Sequence, residues 1–131
     1  MVKLNFLHTS DQAMISNDGK LSIIGIFTEI NVHSTPAVHP KFSIVTNIIG
    51  ELGEYEQTIA IIPPNEDNPI ASVTGNSEII NDTGNVFVAN FINTMFRIEG
   101  KYWIKISVKK GSNSEVISNK NEHFILVKKP N

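Results

Sequence analysis

Four histidines, His8, His33, His39 and His123, give the chain its imidazoles, the side chains most used for metal ligation and for proton transfer near neutral pH. Zinc ligands recur at close spacing, i and i+4 on a helix or a few residues apart across a hairpin. These four histidines are too scattered for either arrangement. Carboxylates gather at Glu51, Glu54 and Glu56, and again at Glu66 and Asp67, where loops would have to offer their oxygens to calcium. Neither group has the spacing of a calcium-binding loop, so both read as solvated turns. A Gly-x-Ser-x-Gly nucleophile elbow is missing, Ser, His and Asp stand at no triad-like spacing, and no glycine-rich phosphate loop occurs. Cysteine is absent, which removes thiolate nucleophiles, thiolate metal sites and disulfides together. The sequence therefore predicts no catalytic residue, no metal site and no cofactor.

The one constellation with binding chemistry is Trp103, Lys105 and Lys109. Tyr102, Ile104, Ile106 and Val108 alternate with Trp103, Lys105, Ser107 and Lys109, the period-two pattern of a strand with one face in a core and the other in solvent. A tryptophan on such an outer face, set among lysines, can anchor a protein partner or stack on a ligand. The same residues also have a purely structural reading. A loop, a neighbouring strand or a second subunit would cover the indole, and lysines would guard an edge strand against aggregation.

The elements that must position these residues are strands. Ile, Val and Phe form short runs separated by Gly, Pro, Asn and Asp, and no long run repeats with the helical period. The hairpin signal is clearest at Asn17-Asp18-Gly19-Lys20, because Asp-Gly tolerates the backbone of a tight turn. Further runs cover residues 4–9, 21–32, 42–49, 55–62, 70–74, 86–92, 101–109 and 123–128, giving eight or nine strands. Pro63-Pro64 ends one run and leaves Asn65-Glu66-Asp67-Asn68-Pro69 as a solvated loop. The run 86–92 is apolar on both faces, which predicts a central strand covered on each side. Its Phe87 and Phe91 share one face, and burial is their simplest explanation.

Composition narrows the class of function. Hydrophobic residues make up 40% and charged residues 18%, enough apolar material for one self-sufficient core, so residues 1–131 are expected to form a single domain. The net charge is −2 and Arg97 is the only arginine, which argues against a phosphate-tracking surface and hence against nucleic acid. Polar residues interrupt the N-terminal apolar run well short of a signal-peptide core or a membrane span, so a cytoplasmic protein without a membrane partner is expected. Asn81-Asp82-Thr83 matches a glycosylation sequon and reads as a surface turn.

Several segments, taken in order, resemble a functionally uncharacterised family of small bacterial immunoglobulin-like β-sandwich proteins. They are Ser10-Asp11-Gln12-Ala13, Asp18-Gly19-Lys20-Leu21-Ser22-Ile23-Ile24-Gly25, His39-Pro40-Lys41-Phe42, Phe96, and Glu99-Gly100-Lys101-Tyr102. The resemblance implies an all-β, immunoglobulin-like antiparallel β-sandwich of about eight strands and carries no activity with it. Within that fold, Gly100-Lys101-Tyr102 looks like a tyrosine corner, whose hydroxyl bonds the backbone of the preceding turn. The expected function is a non-catalytic protein-interaction or structural module, acting on an unknown protein partner or by self-association. Two alternatives stand beside it. One is a carbohydrate-binding module that uses Trp103 as a platform. The other is a phage-related structural or host-interaction protein, suggested by a composition rich in Asn and Ile.

Overall fold

Alternation of Ile, Val and Phe with polar residues, punctuated by Gly, Pro and Asn, produces strands throughout the chain. The computed structural model describes residues 1–130. Ten strands follow one another: β1 Lys3–Ile15, β2 Leu21–Ile26, β3 Glu29–Asn31, β4 Ala37–Ile49, β5 Gly53–Ile62, β6 Ala71–Ile79, β7 Asn85–Phe96, β8 Gly100–Lys110, β9 Asn113–Val116 and β10 Phe124–Lys128. They make two sheets packed face to face in a sandwich-like arrangement, the larger one curled like half a barrel. The four-stranded sheet has the order β2-β1-β4-β7, and the six-stranded sheet the order β3-β10-β8-β5-β6, with β9 also pairing with β8. Among the described residues no helix is long and apolar enough to cross a membrane.

The core lies between the inner faces. Phe42 of β4 stacks on Phe91 of β7 with ring centroids 5.1 Å apart, and Phe96 meets Tyr102 of β8 edge-on at 4.9 Å. Ile59, Ile61, Ile104, Ile106 and Ile125 close the space from the six-stranded sheet, each essentially without solvent contact. Full burial of one such side chain contributes about 1.5–3 kcal/mol. The Tyr102 hydroxyl donates to the Ile98 carbonyl at 2.7 Å, as the tyrosine-corner reading expected, and so ties the turn before β8 to the core.

Three expectations need correction. The run 86–92 is not central: β7 is the terminal strand of its sheet, and Ile92 is 60% exposed. Its apolar inner face is explained by Phe91 in the core and by Phe87, which packs closely over Gly75 of β6 where the two sheets approach. The run 21–32 is two strands rather than one, because the chain leaves the small sheet after β2 and crosses to lie parallel to β10 as β3. The first strand extends well past residue 9, since the polar residues Ser10, Asp11 and Gln12 continue a hairpin ladder to Ile15.

One fully buried polar link between the sheets was not announced by the sequence. Gln57 of β5 donates through Nε2 to Thr46 Oγ1 of β4 at 2.6 Å and accepts from Ser77 Oγ of β6 at 3.0 Å, all three fully buried. A buried polar group is tolerated when each of its atoms finds a partner, and this amide bridges the two sheets. Gln57→Leu strands two buried hydroxyls and is expected to lower the unfolding free energy by about 1–3 kcal/mol in a denaturant titration. Tyr102→Phe, which keeps the ring but removes the hydroxyl that donates to the Ile98 carbonyl and accepts from the Ile98 N–H, should cost about 1–2 kcal/mol.

Candidate functional site

β8 places Trp103, Lys105 and Lys109 on the outer face of the larger sheet, because its inner positions Tyr102, Ile104, Ile106 and Val108 are all buried. The structure brings two of the three together. The Lys105 ammonium lies 5.8 Å from the centre of the indole, within reach of a cation–π interaction, and Lys101, two residues before Trp103, sits 4.6 Å over the Phe124 ring of β10. Lys109 stands four residues further along, about 13 Å at strand rise, directly opposite Glu56 of β5. Lys101, Lys105 and Lys109 form no ion pair among the described residues.

Trp103 is half-buried rather than openly displayed. Across the ladder it faces Ile62 on one side and Phe124 on the other. The loop after β5 then folds over as a wall, leaving a groove of about 510 Å³ lined by Trp103, Lys101, Lys105, Lys120, Pro64 and the carboxylates of Glu66 and Asp67, among others. Gly100 makes that wall fit. Its φ of 138° favours glycine, and a Cβ there would come within 2.9 Å of Pro64 Cγ. Among the described residues Trp103 Nε1 is the one buried side-chain nitrogen or oxygen without a hydrogen-bond partner. A buried indole N–H ordinarily has an acceptor, and this one, shut off from solvent, has none.

The sheet face is bipolar. Glu54 and Glu56 of β5 and Glu78 of β6 share one end of it, with Glu54 directly opposite Glu78 and Lys109 opposite Glu56, whereas Trp103, Lys101 and Lys105 occupy the other. Like charges directly opposed on a ladder destabilise it slightly, so the Glu54 and Glu78 pair weakens this end of the sheet.

The sequence profile of a family of unknown function, DUF6941, matches residues 5–115. The chain belongs to that family. Trp103, Lys105, Lys109 and Tyr102 all lie inside the matched span. No curated protein and no solved structure matches significantly.

The histidines take separate places. His8 lies against Phe6, His39 packs against Phe27 and Phe42, His33 is exposed in the crossover, and His123 accepts the Asn119 N–H through Nδ1. No three His, Asp or Glu side chains converge among the described residues. Of the acidic groups, Glu66 and Asp67 join the Trp103 groove, an association that only the fold of the Pro63-Pro64 loop creates. Because Trp103 is the only tryptophan, its fluorescence reports on this groove alone. Gly100→Ala should push the Pro64 loop away, shifting the emission to longer wavelength and raising acrylamide quenching, with a stability loss of about 1–3 kcal/mol. Unchanged emission would show that the loop does not wall the indole.

Proposed function

We propose that the chain is a cytoplasmic, non-catalytic interaction module of immunoglobulin-like topology, which holds a protein partner on the outer face of its six-stranded sheet around Trp103, Lys105 and Lys109. The topological part is supported by strand order. Taken as the first, second and fifth strands of an immunoglobulin sandwich, β1, β4 and β7 are adjacent in one sheet as that fold requires. Taken as the third, sixth and seventh, β5, β8 and β10 are adjacent in the other, and the Tyr102 corner falls at the start of the sixth. On this reading β2, β3, β6 and β9 are additions at the edges.

The observation that carries the functional part is the half-buried Trp103 with its unpartnered N–H, set between lysines that have no carboxylate partner of their own. Aromatic anchors in partly dry pockets contribute most of the affinity of protein interfaces, and flanking charges set orientation. A partner that offers acidic side chains complements this end of the face. Carbohydrate stacking is less well supported, because a sugar needs an open indole face and here Lys105 and the Pro63-Pro64 loop take up the approaches.

The test is comparative capture. Wild type, Trp103→Ala and Lys105→Glu are immobilised at equal density after circular dichroism shows the same fold, and the proteins each retains are quantified. The reading expects one protein held by wild type and reduced at least tenfold by both variants. Identical retention by all three would remove the Trp103 face from the account.

A further inference from the structure

The hairpin of β1 and β2 reaches beyond the sandwich. β1 pairs with β4 only from Lys3 to Ser10; from Asp11 to Ile15 its sole neighbour is β2. A two-stranded hairpin on its own is marginal in water and becomes stable when further strands extend it over an apolar surface. This one carries that surface uncovered. Met14, Ile24 and Ile26 are 45%, 55% and 57% exposed on the face that continues Ser10, and Ile15 is 48% exposed on the opposite face.

The free edge of the arm is equally unguarded. Sheet edges are usually blunted by charge or proline, and β3, β6 and β9 each carry a glutamate, Glu29, Glu78 and Glu115, while β7, the other terminal strand of the small sheet, is uncharged but is covered in part by β6, where Phe87 packs over Gly75. β2 reads Leu21-Ser22-Ile23-Ile24-Gly25-Ile26, with neither a charge nor a proline. We propose that this edge is a self-association site, at which β2 pairs antiparallel with β2 of a second copy of the chain.

A second copy is the occupant that fits. Because the strand is uncharged, a copy of itself brings no like charges together. At the tip end Lys20 is paired with Asp18 of the same turn, and at the base end the Asp11 carboxylate lies over Gly25. A two-fold antiparallel arrangement sets the tip of each arm, where Lys20 is paired with Asp18, beside the base of the other, so the two Asp11 carboxylates stay at opposite ends and no like charges meet. It also turns two marginal two-stranded arms into one four-stranded sheet with its Ile and Met side chains side by side, a closed isologous contact that cannot propagate into fibres. The site is on the sheet that does not contain Trp103, so it is independent of the partner face proposed above.

Sedimentation equilibrium across a wide concentration series tests the proposal, supported by disulfide trapping. Wild type and Trp103→Ala should rise from 14.5 kDa to twice that mass with concentration, while Ile24→Lys and Ile26→Lys should stay at 14.5 kDa with an unchanged strand spectrum. The chain has no cysteine, so single cysteines introduced at Ser22, Ile23 or Ile24 report on this edge alone, and at least one should give a disulfide-linked dimer under mild oxidation. A wild type that remains 14.5 kDa throughout, or a dimer that persists in folded lysine variants, overturns the proposal. Should the lysine variants misfold, the absence of disulfide dimers in all three cysteine variants overturns it.

Discussion

The structure depends on the contact between two apolar sheet faces, where Phe42 stacks on Phe91, Phe96 abuts Tyr102, and the isoleucines of β5, β8 and β10 fill the remaining space. In strands, successive side chains point to opposite faces, so filling the core with alternate residues fixes which residues remain outside. A slip of one residue in β8 would send Trp103 inward and Ile104 into solvent, and the core therefore sets the register of the candidate site. The Gln57 bridge and the Tyr102 corner reinforce that register with directional bonds, which an apolar contact alone lacks.

Outside the core the two sheets have different chemistry. The outer face of the six-stranded sheet is polar, with the glutamates of β5 and β6 toward one end and Lys101, Lys105 and the indole of β8 toward the other, and a loop held by Pro64 against Gly100 shapes its aromatic end. The four-stranded sheet instead runs out into an arm that leaves apolar side chains and backbone groups without neighbours. A polar face with one aromatic anchor suits a selective, reversible partner, whereas an uncharged strand edge suits its own copy. Two kinds of contact can thus coexist on one small sandwich without competing.

Much of this was legible in the sequence and some was not, for reasons that individual residues make plain. Alternation along β8 gave the inward and outward sets without error, and Asp18-Gly19 located the first hairpin, because both signals are local. The rank of β7 in its sheet was not local: Val86, Val88 and Ile92 look like a strand covered on both sides, yet only pairing shows that nothing lies beyond them in the sheet. The parallel step of β3 onto β10 joins segments 97 residues apart in the chain, and no side-chain pattern encodes it. For the site, Trp103 and Lys105 could be named from their alternation, while Glu66, Asp67 and Pro64 joined them only through the path of a loop. The protruding arm escaped notice because Met14, Ile15, Ile24 and Ile26 are the residue types that normally signal a core, and exposure is a property of the fold rather than of the residue.

The central claim is that β8 divides its labour by alternate residues, inner ones holding the sandwich and outer ones left out of the core. An alanine scan of positions 102–109, each variant measured for unfolding free energy in denaturant, tests this most directly. The account predicts a saw-tooth: losses of about 2–5 kcal/mol at Ile104 and Ile106, and changes within about 0.5 kcal/mol at Lys105, Ser107 and Lys109. A flat profile, or losses concentrated at the outer positions, would contradict it.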